Sequence, residues 1–108
     1  MTTMHDLMTE VNAAECVLKV MEDQAESGWA AELALPHNPE RGEYRRRLLV
    51  NAPGCWHGYG RDRERTWQRG YQYRDCVQDV DGWCDTEVTR LEALDAIEAA
   101  IAAGKVRA

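Results

Sequence analysis

The sequence predicts an α+β fold: a four-stranded antiparallel sheet flanked by an N-terminal and a C-terminal helix, in the order α-β-β-β-β-α. Three observations predict it. Apolar residues at helical spacing open the chain, a second such run behind a capping box closes it, and between them apolar residues alternate at a period of two around turn residues. The 108 residues match one domain, 1–108, with enough apolar residues in periodic segments to close a core without staples.

The first helix is read from Met4, Leu7, Val11, Ala14, Leu18, Met21 and Ala25, which step by four and three along one stripe. Thr3 is placed to cap it and Gly28 to end it. The same positions read as a short heptad seam, so a homodimer through this helix is an open alternative to a buried globular face. Trp29, Ala31, Leu33 and Leu35 then alternate with Ala30, Glu32 and Ala34, as a strand with one buried face requires. Pro36, Asn38, Pro39 and Gly42 break the chain before a second strand over 44–51, in which Arg46, Leu48 and Val50 share a face.

Residues 52–64 hold three glycines and no sustained period, and read as a long loop. Strands resume near Thr66 and run to Gln78, with an interruption around Gly70. Asp81-Gly82 signals a two-residue type I′ hairpin loop. Pairing Val80 with Trp83 puts Tyr73, Val77, Cys84, Thr86 and Val88 on one face, and Cys76, Gln78, Asp85 and Glu87 on the other. Thr89-Arg90-Leu91-Glu92 is a capping box, and Leu91, Leu94, Ile97 and Ile101 form the stripe of the last helix, with Ala93 and Ala100 alongside and Gly104 ending it.

Charge divides the chain in three. Residues 1–40 carry eight acids and one Lys, residues 41–74 nine Arg and three acids, and residues 75–108 eight acids and three bases, for a net −6. A basic, arginine-rich middle thus lies between acidic ends. Its arginines are expected to pair with helix carboxylates or face water, unless they build an interface. The start of the chain lacks the basic and apolar blocks of a secretory leader, and no stretch approaches the length of a membrane span. A cytoplasmic protein with no membrane association is the expectation, with Cys16, Cys55, Cys76 and Cys84 as reduced thiols.

No cofactor, metal site or catalytic residue is expected, and the chain does not read as an enzyme. Cys55 and His57 could join His37, Cys76 or Cys84 around zinc, but close Cys-x-x-Cys pairs are missing and Cys76 and Cys84 fall on opposite faces. A thiol nucleophile at Cys55 lacks an oxyanion site in the pattern. Asp79, Asp81 and Asp85 are ordinary residues of a hairpin turn. Gly58-Tyr59-Gly60 lacks the strand, spacing and Lys of a phosphate loop.

The segment 56–74 interleaves Trp56, His57, Tyr59, Trp67, Tyr71 and Tyr73 with Arg61, Arg63, Arg65, Arg69 and Arg74. Aromatic platforms and guanidinium forks suit RNA or single-stranded DNA, so a nucleic-acid-binding accessory protein is one reading. The net negative charge opposes it, and Trp, Tyr and Arg are equally the residues that concentrate binding energy between proteins. The expectation is a non-enzymatic binding protein for a protein or ribonucleoprotein partner, with Trp56, Tyr59, Arg61, Arg63, Arg65 and Trp67 on one candidate surface and Glu15, Glu22 and Asp23 on another.

A single acidic domain of about 100 residues, with helices flanking a small antiparallel sheet and no catalytic signature, resembles the phage-encoded inhibitors known as anti-CRISPR proteins. The resemblance lies in size, charge and layout over the whole chain. It implies a protein acting in the cytoplasm of a host cell, bound to a CRISPR effector complex and blocking its access to DNA. Helix carboxylates such as Glu10, Glu15, Glu22, Asp23, Asp95 and Glu98 would then meet Lys and Arg of the partner. The basic middle of the chain departs from a simple DNA mimic.

Overall fold

A computed structural model describes residues 12–26, 30–53 and 70–106. Two helices, α1 (Ala13–Glu26) and α2 (Arg90–Ala102), pack on a sheet of four strands, β1 (Ala31–Leu35), β2 (Arg45–Asn51), β3 (Gln72–Asp79) and β4 (Gly82–Val88). The strands follow one another as a meander, each antiparallel to the next. The α+β fold is therefore the one the sequence predicts.

Asn12 opens α1: its Oδ1 accepts from the Ala14 N–H at 2.9 Å, which satisfies one of the unpaired donors at a helix start. The helical stripe would carry Asn12 inside a longer helix, whereas it caps this one, because its short amide bonds the backbone better as a cap than inside a helix. The expected cap Thr3, the positions Met4, Leu7 and Val11, and Gly28 lie outside the described residues. Ala14, Leu18, Met21 and Ala25 are buried, as the stripe requires.

At the other end the capping box forms as read, with Thr89 accepting from the Glu92 N–H and Glu92 accepting from the Thr89 N–H. Gly104 ends α2 in a left-handed conformation (φ +72), and its N–H and that of Lys105 donate to Ile101 and Ala100. These are the two bonds of a Schellman motif. The buried face of α2 is Ala93, Ile97 and Ala100, with Leu94 and Ile101 half-buried. Leu91, read as part of the stripe, is instead 75% exposed.

Side-chain alternation divides the sheet into two faces. Ala31, Leu35, Leu48, Val50 and Tyr73 are buried on the face under the helices. α1 lies over β1 and β2, and α2 over β1 and β3. Full burial of a side chain such as Leu18, Leu48 or Ile97 contributes about 1.5–3 kcal/mol, and these three sit at the centre of the core.

The β3–β4 turn differs from the one expected. Asp79 pairs with Gly82 and Gln78 with Trp83, so the loop is Val80-Asp81 and the register is two residues away from a Val80–Trp83 pairing. No described non-glycine residue has a positive φ, which excludes the type I′ geometry at Val80 and Asp81. The Asp79 carboxylate accepts from the Asp81 N–H at 2.8 Å and Gly82 takes φ +116, fixing the turn one residue early. A two-residue shift preserves side-chain parity, so Cys76 and Cys84 fall on opposite faces as read.

Candidate interaction surface

Because the helices lie over β1 to β3, β4 is left at the margin of the sheet. All five residues from Trp83 to Glu87 are exposed, on both faces of the strand. Val80 at the hairpin tip is 72% exposed and Trp83 45%. An exposed tryptophan next to an exposed aliphatic side chain marks a surface suited to contact.

On the face turned away from α1 and α2 the guanidinium carbon of Arg47 lies 4.6 Å from the centroid of the Trp83 ring, a cation–π contact that spans β3. The same guanidinium donates to Glu32 at 2.9 Å. Glu32, Arg47 and Trp83 thus tie β1, β2 and β4 together across one face. Between them, Cys76 is buried, and that burial pushes its thiol up to about 12, with a contact to the Asp85 carboxylate as the second cause. A thiol held protonated in this way is not a nucleophile at neutral pH. Asn51 is fully buried at the end of β2, with neither amide atom hydrogen-bonded among the described residues.

On the helix side, Arg46 grips Asp75 across the β2–β3 pair with bonds of 3.0 Å and 2.6 Å. That hydrogen bond is the main reason the guanidinium pKa is raised. Arg46 and Arg47 thus find partners in the sheet, Asp75 and Glu32, where helix carboxylates or water were expected.

Arg90 occupies the first position of α2, where the helix dipole disfavours a cation. It is held by Glu15 at 3.1 Å and Glu22 at 3.4 Å, both from α1. Glu15 and Glu22, two of the acids expected to meet a partner, therefore join the helices to each other. Asp23 is exposed. Glu26 accepts from the Tyr71 hydroxyl at 2.5 Å, a bond that pushes Tyr71 up to about 12.

The other predicted surface, Trp56, Tyr59, Arg61, Arg63, Arg65 and Trp67, lies outside the described residues, as do Cys55 and His57. Among the described residues no three of His, Cys, Asp and Glu converge as metal ligands, and no helix is long and apolar enough to cross a membrane. Sequence reasoning did not single out the β4 margin. Its signal was there to read: residues 79–88 contain four carboxylates, a tryptophan and no basic residue.

No protein-family model, curated protein or solved structure matches the chain.

Proposed function

We propose that this chain is a non-enzymatic binding protein that docks on a protein or nucleoprotein partner with the β4 side of its sheet. The observation that carries this reading is Trp83, exposed on the marginal strand and stacked by Arg47. Tryptophan and arginine are the residue types on which binding energy between proteins concentrates. The net charge of −6 supports the same reading over nucleic-acid binding, since an acidic chain is repelled by a phosphate backbone. Trp56, Tyr59, Arg61, Arg63, Arg65 and Trp67 are further candidates for partner contact by composition, at a place outside the described residues.

A phage-type inhibitor of a CRISPR effector is the specific form suggested by size, acidity and layout. The test is affinity capture from the source cell with wild type and Trp83→Ala, followed by a DNA-binding assay on the captured complex. A stoichiometric protein partner retained by wild type and lost by Trp83→Ala supports binding, and reduced DNA binding by that complex supports inhibition. Retention of labelled single-stranded RNA by the purified chain at ~0.1 M salt, with no protein partner, would replace this reading with the nucleic-acid one.

A further inference from the structure

An edge strand turns alternate N–H and C=O groups away from its neighbour and so offers a template for another strand. β4 pairs with β3 along its whole length without a bulge, and among the described strands nothing pairs with its other side. Proteins commonly blunt such an edge with Pro, Lys, a bulge or a covering element. Residues 82–88 contain neither Pro nor Lys, the register is unbroken, and the strand is exposed on both faces. What the edge does carry is acid: Asp79, Asp81, Asp85 and Glu87, with no base between 79 and 88.

We propose that the outer edge of β4 is a strand-addition site for an extended, basic segment of a partner protein. This deepens the binding reading above and rests on it. Main-chain bonds to β4 would hold the added strand, and side-chain alternation would set its chemistry. Trp83, Asp85 and Glu87 share the face turned away from α1 and α2, where Glu87 stands opposite Arg74 of β3, so Arg or Lys on the added strand meets the Asp85 carboxylate beside an aromatic ring. Cys84, Thr86 and Val88 share the other face, which suits Thr or Val at the intervening positions.

The same acids select against other occupants. A second copy pairing two-fold and antiparallel on β4 would set Asp85 opposite Asp85, Asp85 opposite Glu87, or Glu87 opposite Asp81 in the three registers of greatest overlap. Like charges directly opposite one another are destabilising. A phosphate backbone meets the same repulsion.

The test uses the full chain and two synthetic peptides of about eight residues, the length of an ordinary strand, one alternating Arg with Val and Thr and the other with Glu in place of Arg. The Arg peptide is expected to shift the amide resonances of 82–88 and slow their hydrogen exchange, with affinity falling about tenfold or more between about 0.05 and 0.5 M NaCl as the charges are screened. Asp85→Lys combined with Glu87→Lys should abolish that binding and make the Glu peptide bind instead. If that variant loses its amide dispersion, Asp81→Asn, in the turn and outside both strands, should weaken the Arg peptide severalfold. Equal binding of both peptides, or shifts that avoid 82–88, would overturn the proposal. So would a wild-type dimer in sedimentation that the Lys substitutions abolish. Partner capture that needs Trp83 yet ignores the Lys substitutions would overturn strand addition and leave the binding reading standing; no partner at all would remove both.

Discussion

The Arg47 guanidinium and the Trp83 ring meet across β3, 4.6 Å from carbon to centroid, although the residues belong to strands that are not paired with each other. The contact ties the marginal strand to β2 on the face turned away from α1 and α2. It is also a partly exposed pair, and such cation–π contacts contribute about 0.5–1 kcal/mol. Arg47→Ala should therefore lower the urea midpoint modestly and make the Trp83 indole more accessible to acrylamide quenching. An Arg47→Ala variant with unchanged quenching would show that the pair does not order Trp83.

Leu18 of α1 and Ile97 of α2 are both fully buried in the core between helices and sheet. Leu18→Asp or Ile97→Asp places an unpaired charge in the core, at a cost of about 3–5 kcal/mol. Urea or thermal denaturation should show loss of most of the stability. Leu91→Asp, on the exposed side of α2, should leave the midpoint within experimental error.

Asp75→Ala leaves the Arg46 guanidinium half-buried without its bidentate partner. A loss of about 1.5–3 kcal/mol is expected, the range for hydrogen bonds to charged groups. Glu32→Ala, which removes the more exposed partner of Arg47, should cost about 1 kcal/mol or less. Denaturation midpoints that reverse this order would contradict the placement of the two pairs.

Cys76 ties stability to alkaline pH. Its pKa rises from 9.0 in the free side chain to about 12 in the fold, so the folded state holds the proton more tightly than the unfolded one. The corresponding stability is complete below about pH 8 and is lost as pH climbs from about 9 toward 12. Urea midpoints should fall between pH 8 and pH 11, and Cys76→Val should reduce that fall without removing it, because Tyr71 and the buried Tyr73 are raised as well and act in the same direction. With a disulfide reagent at neutral pH, the exposed Cys84 should react quickly and the buried Cys76 only on unfolding.

Both element types were legible where local rules and packing agree. The capping box of α2 and the buried stripe of α1 over Ala14 to Ala25 formed as their spacing dictates. The faces of β3 and β4 followed from parity even though the turn moved, because a slip of two residues leaves each side chain on its face. The turn itself was misread because Asp81-Gly82 is a strong dipeptide signal, and the competing bond from the Asp79 carboxylate shows only in three dimensions. Leu91 departs from its stripe because periodicity weighs hydrophobicity, whereas the fold buries the smaller Ala93 and leaves Leu91 75% exposed. The β4 surface was harder to read still. Its acids look like ordinary turn residues, and its exposure depends on where two helices cross the sheet. Likewise Glu15 and Glu22 read as free acids until Arg90, 75 and 68 residues away, is seen between them.

The central claim is that a partner docks at the β4 side of the sheet, and photo-crosslinking tests it most directly. Benzoylphenylalanine replaces Val80, exposed at the β3–β4 turn beside Trp83 in the sequence, in one variant and Asp23, on the exposed surface of α1, in another, and each is irradiated in the source cell. The account predicts a discrete protein adduct from position 80 and none from position 23. A protein adduct from position 23 alone, or a nucleic-acid adduct from position 80, would contradict it.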